Sequence, residues 1–470
     1  MQYGRSLSAQ ATARVLYIAT GALVFVVLAR TLGPGPLGQY AWALTFLALA
    51  VALADFGMGP ILARDLVAQG EARPDWLANF LVMRLLLGAA VGLGAAVAAL
   101  TLAPAALRLP LLVCCPLLPL IAARFYDPVF QVGGKPWLSL NLTLVYTALA
   151  PLAVVVALVL PQPVQGAILV HAVASVAYGT VGLVLTLRLL RPRFAAVSRA
   201  GLMQVALAVA PMGLSSLITA LATRVDLFIV ARLGSDTMAG QYNAAFRFLD
   251  VGAAVIVTVL SPLLTVFVAM AQTDRAALVV AFQSMLRLVA TVMVFGALLA
   301  TGLAGPVMVL VYGAAYASAA AALALLAWKL AAAFVSLLCF ALVMATASIR
   351  YTVWNSALAL GLTVGADLLL VPRLGVTGAA GGTLLGECAQ MAVNLFAVSR
   401  VMPAALQTGW WGRFALAALP ALGVALAPTT MLAAPLLGTL GAALFLLLLA
   451  LLRGLPGNPL PLLRLGGNTQ

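Results

Sequence analysis

Apolar residues come in runs of about 20, separated by short breaks rich in glycine, proline and arginine, from near Ala11 to Leu452. Runs of that length suit helices that cross a bilayer, not the shorter strands of a membrane barrel. The breaks divide the chain into about fourteen predicted helices: 10–32, 39–62, 77–101, 110–132, 137–160, 166–189, 206–232, 240–270, 277–302, 319–346, 353–372, 377–399, 412–427 and 431–452. Segments 305–318 and 411–428 are the hardest to place, and twelve or thirteen helices is the alternative. The first run carries Arg14 near its start and leads straight into the second, so it reads as a retained span rather than a cleaved signal.

Composition fits this pattern. Of 470 residues, 65% are hydrophobic and 8% charged, with a mean hydropathy of +1.16; a soluble domain of this size is about a quarter charged. The expected fold class is therefore all-α and integral to the membrane. A formal charge of +14 would otherwise suggest nucleic acid, but the cations are scattered among spans and short loops, with no basic soluble domain. Cys114, Cys115, Cys339 and Cys388 all fall in apolar runs without CxxC spacing, which predicts buried thiols and neither a disulfide framework nor a metal site. The single histidine, His171, also lies in an apolar run and reads as a packed residue.

Arginine placement sets the orientation. With the N-terminus inside, the inner loops hold Arg5, Arg64, Arg73, Lys135, the Arg188–Arg199 group, Arg275, Arg350, Arg400, Arg413, Arg453 and Arg464. The outer loops then hold only Arg30, Arg108, Arg232 and Arg373, so both termini are expected to be cytoplasmic. No loop is large. A membrane enzyme of glycan assembly needs an outer loop able to carry an acid, a base and an acceptor, and none of that size is present.

One phrase occurs twice. Arg30, Gly38, Gln39, Tyr40 and Pro60 recur as Arg232, Gly240, Gln241, Tyr242 and Pro262, all at an offset of 202 residues. The copies close the first and seventh helices and open the second and eighth. This predicts two six-helix lobes, 1–200 and 201–405, with a C-terminal helix pair and short cytoplasmic tail at 406–470. Six is even, so the lobes are parallel repeats about an axis near the membrane normal, a design used by alternating-access transporters.

Several passages resemble the polysaccharide transporters, or Wzx-type oligosaccharide flippases, of the superfamily that also holds MATE drug exporters and lipid II flippases. These passages are VLARTLGPGPLGQYAWAL (27–44), LADFGMGPILARDL (53–66), APMGLSSLITALATRVDLFIVARLG (210–234) and GQYNAAFRFLD (240–250), with VLVYGAAYASAAAALALLAW (309–328) and VPRLGVTGAAGGTLLGE (371–387). The last is common across the superfamily, whereas the first and the Arg224–Asp226 RVD are more like the flippases. The resemblance implies a MATE-like transporter fold. It also implies translocation of undecaprenyl-pyrophosphate-linked oligosaccharide from the cytoplasmic to the periplasmic leaflet of a bacterial inner membrane, for O-antigen, capsule or exopolysaccharide assembly. Lipid-linked oligosaccharide, membrane lipids and a polysaccharide polymerase or export complex are the implied partners, and nucleic acid is not. A MATE-type small-molecule exporter and a non-transporting component of an assembly complex are the alternatives.

Charges inside spans are costly and usually face a cavity or a partner. Arg14, Arg84 and Arg124 fall toward the inner side of the first lobe; Arg224, Arg247, Arg287 and Lys329 lie deeper in the second. Arg224, Arg247, Arg287, Lys329, Arg84 and Arg14 are the candidate ligands for pyrophosphate and glycan, because guanidinium forks and ammonium groups disperse its charge. Near a helix end, as for Arg14, Arg124 and Asp127, snorkelling is the competing explanation. Arg30 and Arg232, at the outer ends of their helices, read as anchors of the two paired turns. Arg247 and Asp250 are three apart and can pair on one helical face; Arg224 and Asp226, two apart, point differently. Gln39, Asn79, Asn141, Gln241, Asn243, Asn355, Gln390 and Asn394 are candidate sugar donors, with Tyr17, Trp42, Tyr146 and Trp354 as candidate stacking rings. No cofactor is expected and no Walker A motif is present, so coupling falls to a proton or sodium ion, with Asp55, Asp226 and Glu387 as candidate sites. Each of these acids could equally be the structural partner of an arginine.

Overall fold

The computed structural model describes residues 2–59, 61–62, 65, 74–121, 130, 137–346, 350–406, 409–427 and 433–455. Among them there is no strand, and nine helices are long and apolar enough to cross a membrane. The chain is a multi-pass membrane protein. It divides into two compact units, Met1–Arg224 and Val225–Gln470.

The first unit holds α1 (Gln2–Leu32), α2 (Pro34–Asp55), α3 (Pro74–Leu102), α4 (Ala105–Cys114), α5 (Leu118–Ile121), α6 (Trp137–Leu149), α7 (Leu152–Val159) and α8 (Pro163–Leu190). A long helix, α9 (Arg199–Leu233), begins in this unit and ends in the second. Proline punctuates the region: Pro104, Pro151 and Gln162–Pro163 flank short helices, and Pro110 lies inside α4. A missing N–H and a fixed φ make such positions natural helix starts and bends.

The second unit holds α10 (Asp236–Thr273), α11 (Arg275–Tyr312), α12 (Ala320–Thr346), α13 (Arg350–Leu374), α14 (Val376–Val401), α15 (Trp410–Ala425) and α16 (Ala434–Leu451). Helix α11 continues ten residues beyond the predicted limit of 302, through Pro306, and stops where Gly313 adopts a φ of 100°. That resolves most of the 305–318 ambiguity: the helix absorbs the segment as far as Tyr312, and a 3₁₀ turn at Ala314–Ala319 follows. The C-terminal pair packs on this unit through Leu298, Ala417, Ala421, Ala442, Phe445 and Leu449. The Trp410 indole N–H donates to the Gly454 carbonyl at 2.6 Å, closing the pair.

The two copies of the repeated phrase form two tight helix-to-helix turns. The first turns at Gly33, with a φ of 76° that a side chain would disfavour, and Pro34 starts α2. The second uses Ser235, whose Oγ accepts from the Met238 N–H at 3.2 Å, a side-chain N-cap. Arg30 and Arg232 are exposed in the last turns of α1 and α9, where cations meet the negative helix end. Tyr40 and Tyr242 are buried. Pro60 and the side chain of Pro262 lie outside the described residues.

Candidate functional site

Three turns of the second unit meet at one end. The Gln241 amide donates to the Ala315 carbonyl at 3.1 Å, linking the start of α10 to the turn before α12. A side chain on Gly375, between α13 and α14, would lie 3.5 Å from Met238. Measured from this end, Asp226 is seven residues into α9, Tyr242 six into α10, Asp367 seven into α13 and Thr383 seven into α14. At a rise of about 1.5 Å per residue they share one layer roughly 10 Å deep.

Within that layer the Tyr242 hydroxyl donates to Asp226 Oδ2, and the Leu227 N–H donates to Asp226 Oδ1 at 2.7 Å. The phenol also meets the Thr383 side chain, and Asp367 lies within electrostatic reach of both Asp226 and Tyr242. Asp226 and Asp367 are 1% and 0% exposed, so two carboxylates share a layer with almost no access to water. Neither oxygen of Asp367 has a hydrogen-bond partner among the described residues. A buried carboxylate without donors is expensive unless a cation meets it.

The α13–α14 contact explains how an acid fits there. A Cβ on Gly382 would sit 2.0 Å from Asp367 Oδ1, and one on Gly386 would sit 2.0 Å from Thr363 Oγ1. Thr363 and Asp367 lie one turn apart, as do Gly382 and Gly386, so the polar stripe of α13 lies on the bare stripe of α14. Gly382→Ala is expected to displace the Asp367 carboxylate and abolish any cation-dependent stabilisation, read as the shift in unfolding temperature between sodium and choline. A retained shift would show that the carboxylate does not need that space.

The predicted site residues separate into groups. Arg84 is 1% exposed, and its Nη2 lies 2.6 Å from Asp55 Oδ1; this is the structural pairing left open for Asp55. Arg247 and Asp250 pair at 3.7 Å, as their spacing predicts. Arg224 is half-buried on α9. Arg287 is half-buried on α11, and its Nε is buried without a hydrogen-bond partner among the described residues. Lys329 Nζ lies 5.0 Å from the centre of the Phe246 ring, and Glu387 is within its electrostatic reach. The side chains of Arg14 and Trp354, and all of Arg124 and Asp127, lie outside the described residues.

Several candidate sugar donors hydrogen-bond within the protein. Asn355 donates to Asn394 Oδ1 at 2.8 Å, and Asn394 donates to Ser336 Oγ at 2.8 Å, tying α13, α14 and α12. Asn79 donates to the Asp75 carbonyl at 2.8 Å and accepts from the Ser198 N–H at 3.1 Å. Tyr146 hydrogen-bonds His171 Nδ1 at 3.4 Å and stacks near Tyr17, with ring centres 4.6 Å apart. Cys114, Cys115 and Cys339 are buried free thiols. Cys388 lines an apolar cavity of about 490 Å³ between α11, α12, α14 and α15, with Trp328, Met391, Trp411 and Phe414.

From the sequence Asp367 reads as one more acid inside a span, and no local motif sets it beside Asp226. The offset-202 counterpart of Asp226 is Val24.

A family model described as "Polysaccharide biosynthesis protein" matches residues 5–270, more than half of the chain. No curated protein matches the chain by sequence. Among solved structures, "Lipid II flippase MurJ, inward closed conformation" is similar with a TM-score of 0.69 at 13% identity, covering 94% of this chain and 98% of that one. An inward-facing multidrug resistance MATE family transporter gives a TM-score of 0.61 at 16% identity, covering 86% of this chain and 100% of that one. An outward-facing MATE transporter gives 0.57 at 16% identity, covering 86% and 97%. The fold is the one these membrane transporters share.

Proposed function

The chain belongs to the polysaccharide biosynthesis protein family, and from that premise we propose that it is a flippase for undecaprenyl-pyrophosphate-linked oligosaccharides. It carries repeat units from the cytoplasmic to the periplasmic leaflet of the bacterial inner membrane by alternating access, with both termini cytoplasmic. The glycans feed O-antigen, capsule or exopolysaccharide assembly.

The observation that carries this reading is Arg287. A guanidinium held within a membrane helix, with a buried donor that no described residue satisfies, is prepared for an anionic ligand. Arginine offers a phosphate two parallel hydrogen bonds and a permanent charge. An exporter of organic cations, the alternative reading, has no use for that donor. The polyprenyl tail is apolar, and the 490 Å³ cavity beside the C-terminal pair offers it a wall of Trp411, Phe414 and Met391.

Energy for export enters through the acidic layer. Asp226 and Asp367 take a proton or a sodium ion, the small monovalent cations that a buried carboxylate pair can hold. Asp226 is one of three acids the sequence offers for this role; Asp367 joins it. Asp55, with Arg84 beside it, serves the first unit's packing.

Complementation of a flippase-null strain with a defined glycan tests the whole reading. The parent chain is expected to restore surface polysaccharide for at least one glycan class. Arg287→Ala is expected to lose on the order of 100-fold in export, since charge-assisted contacts to a ligand are worth roughly 1.5–3 kcal/mol. Full surface polysaccharide from Arg287→Ala at equal membrane abundance would remove the observation on which the proposal rests.

A further inference from the structure

Two adjacent layers of the second unit hold Asp226 and Asp367, and Lys329 and Glu387. Asp226, Tyr242, Asp367 and Thr383 form the first. Phe246 follows Tyr242 by four residues, and Glu387 follows Thr383 by four, so both lie one turn deeper on the same helix faces. Lys329, nine residues into α12, reaches this second layer, its Nζ 5.0 Å from the Phe246 ring centre. The ammonium is half-buried, has no carboxylate within 4.0 Å among the described residues, and acts electrostatically on both Asp367 and Glu387. The titratable and charged groups in and beside the two layers are Asp226 on α9, Tyr242, Arg247 and Asp250 on α10, Asp367 on α13, and Glu387 and Cys388 on α14.

An aromatic face attracts an ammonium without fixing it to one anion. A lysine stem is flexible and carries its charge as a point. A positive group within electrostatic reach of two acids, and locked to neither, neutralises whichever lacks another cation. Resting on the reading of Asp226 and Asp367 as the coupling-cation site, we propose that Lys329 is a tethered competitor for that site. Its ammonium leans toward Asp367 when the site is empty and toward Glu387 when a sodium ion or proton occupies it. Lys329 thus sets how tightly the cation is held and ensures that it leaves. It is a positioning and affinity-setting residue, not a ligand of the transported pyrophosphate.

The test uses the purified full-length chain in detergent. Sodium is titrated at fixed pH and constant ionic strength against choline, with heat of binding and unfolding temperature as readouts. A second arm varies pH in choline, so sodium and proton are read separately. Lys329→Gln is expected to bind the cation at least about ten-fold more tightly, because a like charge near the site is gone. Lys329→Arg keeps the charge and should stay near the parent affinity. Glu387→Gln should weaken binding, since the ammonium loses its other resting place and bears on Asp367. Changes of opposite sign in Lys329→Gln and Glu387→Gln cannot come from a general loss of folding. Unchanged affinity in Lys329→Gln, or a shift of both variants in one direction, overturns the assignment of Lys329 while leaving the cation site standing. No response to sodium or pH in either the parent or Lys329→Gln overturns the cation site itself, and the proposal with it.

Discussion

Asp367→Asn is expected to leave the protein inserted and at least as stable as the parent, while reducing glycan export on the order of 100-fold, the upper part of what a lost coupling free energy produces. The two effects have one cause. Asp367 is fully buried, its oxygens meet no donor among the described residues, and a second carboxylate, Asp226, lies in the same layer. The charged and empty state of such a pair is costly, and a bound cation relieves it. Asparagine keeps the size of the side chain and removes the charge, so the folded state loses a burden and the cation loses its reason to bind. Export should fall because the ion no longer favours one conformation over another. Two measurements check this: surface polysaccharide in a flippase-null strain, and the sodium- or pH-dependent shift in unfolding temperature. A variant that exports fully, or that keeps the parent's cation-dependent shift, would remove Asp367 from the coupling site. Asp226→Asn is a less clean test, because Tyr242 and the Leu227 N–H already donate to that carboxylate. Amide substitution there disturbs two hydrogen bonds as well as a charge.

Which parts of this arrangement the sequence makes legible follows from how far apart the partners lie. Helix positions come from apolar runs and from breaks at glycine, proline and arginine, so the predicted extents overlap helices throughout the described residues. Arg247 and Asp250 are neighbours by helix geometry alone, and they pair. Tyr242 and Asp226 are on different helices, as are Arg84 and Asp55. Nothing local dictates those contacts; they depend on how α10 meets α9 and how α3 meets α2. The repeated GQY was first of all a sign of duplication. Its second tyrosine donates to Asp226, while Gln241 beside it ties the turn to the Ala315 carbonyl. Asp367 reads from the sequence as an acid inside a span, but not as the neighbour of Asp226. Its setting depends on two bare positions, Gly382 and Gly386, in a passage that otherwise reads as generic helix packing.

The second large effect concerns stability rather than export. Asp55→Asn is expected to destabilise the first unit by about 3 kcal/mol, the lower end of the cost of removing one member of a buried ion pair. Arg84 is 1% exposed, and its Nη2 sits 2.6 Å from Asp55 Oδ1, so the substitution takes a carboxylate charge away from a buried guanidinium. The lower end applies because the Asp55 side chain keeps 33% of its exposure and water already shares its charge. The reverse change is milder for the same reason. Arg84→Leu leaves an acid that can hydrate, and it places an apolar side chain where a membrane protein tolerates one. The double variant Arg84→Leu/Asp55→Asn should therefore recover much of the stability that Asp55→Asn loses, and the non-additivity measures the pairing. Unfolding in detergent, or resistance to proteolysis at graded temperature, reads all three. This experiment also decides between two roles. An acid that carries the coupling ion would lose export at unchanged stability, whereas an acid that holds Arg84 loses stability first and export only in proportion to the folded protein that remains. The 2.6 Å contact favours the second outcome. An Asp55→Asn chain as stable as the parent but silent in export would return Asp55 to the coupling pathway.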